Sequence, residues 1–404
     1  MRVLQLTYRV PFPPTDGGAI GIYNITKGLS ENGCKIDLVA INTPKHSQPK
    51  NAMIGLVENQ YDVFVNTAIS PFKLLRNVLF GKIPYNVERF ISADVDQKLK
   101  ELLTLNTYDF IQVEGAFVAY YIDTIRKYTD SPIIVRTHNI EYVIWQRLSI
   151  NEKNPLKKWF YAHLGKRLKQ FEAAYYSKTD GIAAITPEDK QRLIDLQVST
   201  AIEIVPAGVV LKKENSKQKV EKGESSVFIM SALDWSPNIE GLKWFLENVW
   251  TDLVRIKPEI KLHIAGKSTP EWLMKATIPN AIVHGFVDDA AAFQQSYQLM
   301  LVPLLSGGGM RVKIVEGLAA SKCIISTTIG AEGIDYTDRD NLVIADTPKE
   351  WIEAIVLYLE NDEKRKEVEV NAEKLAYASY ENTAVTKKYI DLFERVKSNK
   401  KATS

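Results

Sequence analysis

The chain has 404 residues, with 51 basic and 49 acidic side chains and a formal net charge of +2. That balance gives no electrostatic footprint for nucleic acid, and the length suits two domains that each bury a core. No apolar run approaches the roughly 18 residues of a membrane span, and Cys34 and Cys323 stand far apart in apolar neighbourhoods, as buried free thiols of a cytoplasmic protein rather than a disulfide.

Met1 leads straight into a β-branched run rather than a signal peptide. Short apolar runs at 3–6, 36–41, 63–65, 110–113, 133–135 and 182–185 then alternate with helical periodicity. After the first run, a loop from Pro11 to Gly17 and Gly18 feeds a helix marked by Ile22, Ile25 and Leu29, so the glycine pair is expected at a helix N-terminus. Two stretches, 72–82 and 157–167, mix Lys and Arg with Phe, Leu, Trp and Tyr. Each is either a contact for an anionic lipid surface or lipid-diphosphate acceptor, or a helix that packs its apolar side on its own sheet and leaves the lysines in water. Between them, the run 133–135 ends at Arg136, Thr137, His138, Asn139 and Glu141, which puts His138 at the functional edge of a sheet. The strings Asp94-Val95-Asp96 and Asp338-Arg339-Asp340 read as acidic turns or helix starts, and the His and Cys residues show no zinc spacing, so no metal is expected.

A polar, Lys-rich segment without periodicity at 211–225 separates this half from the next and is the expected linker. Domains are therefore expected at 1–210 and 226–380, with a C-terminal helix at 381–404 that returns to the first domain. In the second half the apolar runs are 227–230, 262–265, 282–283, 299–302, 324–325 and 342–344. Strands alternating with helices, twice over, predict an α/β protein of two Rossmann-like domains with parallel sheets. The most informative segment follows the run 299–302: Ser306-Gly307-Gly308-Gly309-Met310-Arg311-Val312-Lys313-Ile314-Val315-Glu316. Glycines allow close backbone approach, and the helix N-terminus behind them favours an anion. Lys313 and Glu316, three residues apart, share a helix face. Two cations suit a diphosphate and the carboxylate suits a ribose diol, so the segment predicts a nucleoside-diphosphate site. It is not a Walker A loop, because no Gly-Lys-Ser/Thr follows the glycines. Near the end, Val385, Tyr389, Leu392, Phe393 and Val396 mark a final amphipathic helix.

In this order, Gly17-Gly18, His138-Asn139-x-Glu141, Thr186-Pro187-Glu188-Asp189, Val205-Pro206-Ala207-Gly208-Val209, His284-Gly285-Phe286-Val287-Asp288-Asp289, the glycine-Arg-Lys-Glu segment and Ile329-Gly330-Ala331-Glu332-Gly333 resemble family 4 glycosyltransferases across nearly the whole chain. The resemblance implies the GT-B architecture, two facing Rossmann-like domains with an interdomain cleft, and retaining transfer from a nucleotide-sugar to a saccharide or lipid-linked acceptor hydroxyl in surface polysaccharide or glycoconjugate assembly. It implies no cofactor, and peripheral attachment to the inner face of a membrane is compatible with it. It assigns His138, Arg311 and Lys313 to catalysis. Donor contacts fall to Gly17, Gly18, Gly266, Lys267, Phe286, Val287, Gly307, Gly308, Gly309, Met310 and Glu316. Many members carry Glu-x7-Glu here, and this chain has Gly308 where the first Glu stands. A nucleotide-sugar epimerase of related fold, or a non-catalytic sugar-nucleotide-binding partner of a transferase, are the alternatives.

Overall fold

Apolar runs of four to six residues, flanked by amphipathic segments, form strands buried on both faces, as parallel sheets require. The computed structural model describes residues 1–210 and 225–403, so the expected linker at 211–225, apart from residue 225, lies outside the described residues. The chain divides into two units. The first holds residues 1–208, 308–310 and 382–404; the second holds 209–307 and 311–381.

The first unit contains β1 (Arg2–Thr7), β2 (Lys35–Asn42), β3 (Asn59–Phe64), β4 (Phe110–Glu114), β5 (Ile133–Arg136), β6 (Gly181–Ala184) and β7 (Ala201–Ile204), in the order β3-β2-β1-β4-β5-β6-β7. The second contains β8 (Ser226–Met230), β9 (Lys261–Ala265), β10 (Ala281–Gly285), β11 (Leu299–Val302), β12 (Cys323–Ser326) and β13 (Val343–Ile344), in the order β10-β9-β8-β11-β12-β13. Every pairing between these strands is parallel. All carboxyl ends of a sheet therefore share one edge. The strand order reverses between β1 and β4 and between β8 and β11, the places where open α/β sheets collect ligands.

Strand β7 has no counterpart among the expected runs. Its four residues include Glu203 and are only half buried, so two isoleucines were its whole apolar signal. The final helix, Asn382–Thr403, belongs to the first unit, where Val385, Tyr389, Leu392, Phe393 and Val396 pack with Val3, Ile25, Leu29, Phe110 and Ile134. Phe393 stacks on Phe110 at 4.2 Å between centroids. In the second unit Phe245, Trp250 and Trp351 fill the core beneath β8, β9 and β11. Both cysteines are free and buried.

The two basic stretches are helices, Pro71–Phe80 and the first half of Pro155–Tyr176. The first does not pack its apolar side on the sheet: Phe72, Leu75, Leu79 and Phe80 are exposed, and Asn77 is its one buried residue. Arg167 is not a free surface cation either. Its guanidinium donates to the Asn77 carbonyl, to Asn77 Oδ1 and to the carbonyls of Gly81 and Ile83, at 2.7–3.1 Å.

Candidate functional site

In the first unit, three strand ends converge. Glu114 closes β4, Arg136 closes β5, and His138 follows two residues later. His138 Nε2 lies 2.8 Å from Glu114 Oε2, and Arg136 Nη1 lies 3.7 Å from the same oxygen and 3.4 Å from His138 Nδ1. Gln5 donates to Glu114 Oε1 at 3.0 Å, and Gln112 also donates to that oxygen. Burial by itself would raise the Glu114 pKa, but His138 and Arg136 hold it below the ordinary value. Burial also holds the His138 pKa down, against the pull of Glu114 and with the help of Arg136 and Arg9. Both ring nitrogens thus face protein groups. Tyr8 packs edge-on against the ring at 5.9 Å, and Gly115, at φ +83°, leaves it room: a Cβ there would lie 3.3 Å from His138 Cδ2.

The Gly17–Glu31 helix starts behind β1 as expected. Asp16 caps it, with Oδ1 accepting from the Ala19 amide at 3.2 Å, and Arg9 holds both Asp16 oxygens at 2.9 Å. Gly18 is needed because a Cβ there would stand 2.6 Å from the Tyr8 hydroxyl. Glu141 opens the helix Glu141–Asn151, and burial pushes its carboxyl up to about 7. Glu172 accepts from the amides of Glu141 and Tyr142 at 2.9 and 3.1 Å, closing that helix start from below.

In the second unit, Arg311 is the cap residue ahead of the helix Val312–Ala319 rather than a member of its first turn. Its guanidinium carbon lies 5.1 Å from the centre of the Trp235 ring, a cation–π contact. Gly307, at φ +118°, passes close to both: a Cβ would meet Arg311 Nη2 at 2.6 Å and Trp235 Cη2 at 2.9 Å. Gly309 is also left-handed, at φ +71°. Gly308, Gly309 and Met310 belong to the first unit, and Gly307 and Arg311 on either side of them to the second. Lys313 Nζ donates to Ser231 Oγ at 2.8 Å and to Asn238 Oδ1 at 3.0 Å, both neutral groups behind the end of β8. Burial, with Arg311 nearby, pulls the Lys313 pKa down to about 7, and burial pushes Glu316 up to about 7.

Gly266 follows β9 and lies against the Ser231 backbone so closely that a Cβ would overlap the Ser231 carbonyl oxygen, at 1.7 Å. The Lys267 carbonyl accepts from the Leu233 amide at 2.8 Å. These two residues therefore fix the turn that carries Ser231, the hydrogen-bond partner of Lys313. Phe286, just past β10, is exposed, and Val287 follows it. Residues that sequence reasoning did not single out are Glu114, Arg136 and Gln5 in the first unit, and Ser231, Trp235 and Asn238 in the second. Glu114 and Arg136 carried a usable signal, a charged residue closing a largely apolar strand run; the others carried none.

The model described as "Glycosyltransferase Family 4" matches residues 15–213, and that described as "Glycosyl transferases group 1" matches 224–361. An uncharacterized 44.6 kDa protein in the cps region of Klebsiella pneumoniae is 23% identical over 393 residues, spanning 95% of this chain and 97% of that protein. An uncharacterized glycosyltransferase of Methanocaldococcus jannaschii is 20% identical over 403 residues, spanning 95% and 96%. Among solved structures, sucrose-phosphate synthase from Thermosynechococcus elongatus matches with a TM-score of 0.73 at 13% identity, over 99% of this chain and 100% of that one. Anabaena HepE in complex with UDP matches with a TM-score of 0.69 at 13% identity, over 98% and 100%. With a glycosyltransferase model on each half and two Rossmann-like units of the GT-B fold, the chain belongs to glycosyltransferase family 4 and is a glycosyltransferase.

Proposed function

We propose that the second unit binds the diphosphate of a nucleotide-sugar through Arg311 and Lys313, and that the enzyme transfers the sugar to an acceptor hydroxyl with retention of anomeric configuration. The observation that carries this reading is Lys313, a buried amine held by two neutral groups and drawn down to about 7. A diphosphate beside it would restore the full ammonium charge. As the sugar–phosphate bond breaks, Arg311 and Lys313 would stabilise the negative charge that gathers on the departing diphosphate, which needs no metal for that purpose. Glu316 would accept from ribose hydroxyls, the backbone of Gly307, Gly308, Gly309 and Met310 would approach donor sugar and phosphate, and Phe286 and Val287 would contact the base. Gly266 and Lys267 would act through the Ser231 turn. Retention follows from attack on the face the diphosphate leaves, with a diphosphate oxygen taking the acceptor proton.

His138, with both ring nitrogens turned to Glu114 and Arg136, would contact the donor sugar in a fixed orientation rather than carry protons. The Gly17 and Gly18 amides lie at the N-terminus of their helix, where a phosphate or acceptor is favoured. Support for a nucleotide-sugar also comes from HepE, which was solved with UDP-glucose. The cps-region location of that relative supports a role in polysaccharide assembly; a saccharide or lipid-linked acceptor and a cytoplasmic setting belong to the same proposed reading.

The test is thermal stabilisation by a panel of UDP-, GDP-, ADP- and TDP-sugars, followed by turnover of the one that binds. A ligand at 100 times its dissociation constant adds about 2.7 kcal/mol. Lys313→Ala should lose about 2–4 kcal/mol of transition-state stabilisation in kcat/KM. Near-normal turnover in that variant rejects the role, and a product of inverted configuration rejects retention.

A further inference from the structure

The helix Pro71–Phe80 turns most of its apolar side chains outward. Phe72, Leu75, Leu79 and Phe80 are 78%, 59%, 61% and 80% exposed, and the buried Asn77 is 2% exposed. The spacing of Phe72, Leu75 and Leu79, at i, i+3 and i+7, makes one continuous apolar stripe. On the opposite side Leu74 and Val78 are half-buried beside Asn77, which anchors the helix: Asn77 donates to the Ile83 carbonyl at 2.9 Å and also to Glu88, and it accepts from Arg167 at 2.8 Å. Water gives no reason for this orientation, since the stripe would gain by being buried.

Beside the helix, at the carboxyl end of β3, lies a cavity of about 470 Å³. Lys73, Arg76, Lys82 and Arg89 line it, against one carboxylate, Glu88. Glu88 is already engaged, by Arg76 at 3.3 Å and by Asn77. Arg89 donates to the Thr67 carbonyl at 2.9 Å, and its buried Nε has no hydrogen-bond partner among the described residues. Burial draws the Arg89 pKa down, as expected for a cation short of an anion. The first turn of Pro155–Tyr176 extends the same character with exposed Leu156, Lys157, Lys158 and Trp159. An apolar stripe flanked by lysines is the signature of a helix lying in the boundary layer of an anionic bilayer.

We propose that this face seats the protein on an anionic phospholipid surface, with a lipid phosphate entering the cavity among Lys73, Lys82 and Arg89 and the Phe72–Leu75–Leu79 stripe lying among the acyl chains. Charge complementarity selects the occupant. A second copy of this chain would bring the same excess of cations to the same place, and a neutral apolar partner would leave them uncompensated. The proposal goes beyond sugar transfer and stands whether or not the donor assignment holds.

Co-flotation of the full chain with phosphatidylcholine vesicles, with and without phosphatidylglycerol, tests it. The wild type should float with the anionic vesicles alone and be released by salt. Lys73→Gln with Lys82→Gln should weaken binding about thirtyfold, the fold-change of about 1 kcal/mol for each lysine near such a surface. Leu75→Ser with Leu79→Ser alters only outward side chains, so it should keep the wild-type circular dichroism melt and lose flotation. Equal binding to neutral vesicles, or binding untouched by either pair, overturns the proposal. So does a concentration-dependent dimer that the serine pair dissolves without any vesicle binding. Stabilisation by inorganic phosphate alone, with no flotation, overturns the lipid source and assigns the cavity to a soluble phosphate.

Discussion

Glu114 in the first unit and Glu316 in the second are both carboxylates placed at or just behind the carboxyl edge of a parallel sheet, yet burial leaves them in opposite states. Glu114 is surrounded by His138, Arg136, Gln5 and Gln112, and its pKa falls. Among the described residues Glu316 has no such shell, and its pKa rises to about 7. The neighbouring cations differ in the same sense: Arg136 meets a carboxylate, while Lys313 donates to a hydroxyl and an amide oxygen among the described residues. A buried charge needs a partner of opposite sign or it tends to neutralise. The first cluster carries its partners within the chain and is a finished framework. The second holds Lys313 and Glu316 with no opposite charge bonded to either among the described residues, which is the state expected of a binding site.

The difference has opposite pH signs. A carboxylate with a depressed folded pKa contributes stability that is present above the ordinary 4.5 and lost as pH falls through the folded value. For Glu316 the contribution is complete below 4.5 and lost as pH rises through about 7. Breaking the framework should give the largest effect. Glu114→Ala leaves Arg136 buried without its carboxylate and should destabilise by about 3–5 kcal/mol in urea unfolding. Loss of less than about 1 kcal/mol would mean that the cluster is no framework.

Next in size, Gly307→Ala forces a side chain onto the Arg311 guanidinium and Trp235 at a left-handed φ. It should lower stability by about 1–3 kcal/mol and weaken donor binding, read by unfolding and by ligand-induced thermal shift. An unaltered thermal shift would separate the loop from the donor site. The smallest effect sharpens the comparison most. Because the folded pKa of Lys313 lies near 7, below its ordinary 10.5, the stability it contributes is complete above 10.5 and lost as pH falls through about 7. Lys313→Met should therefore raise the melting temperature at about pH 6, with a gain that shrinks by about pH 9, while abolishing the donor shift. A pH-independent gain would show that the lysine is charged and satisfied without ligand.

Local patterning determined much of this protein. Strand runs, the glycine-Arg-Lys-Glu segment and the inward face of the last helix were legible because their periodicity and spacing lie within a few residues. The fold and the family followed from their order along the chain. What only the tertiary structure decided are the partners: Glu114 meets Gln5 across 109 positions, and Lys313 meets Ser231 and Asn238 across 82 and 75. The same holds for the 71–80 helix, whose mixture of basic and apolar residues was plain in the sequence but whose facing depends on Arg167 gripping Asn77 from 90 positions away. Charge state and facing are set by neighbours in space, through burial and counter-charge, and a sequence orders residues only along the chain.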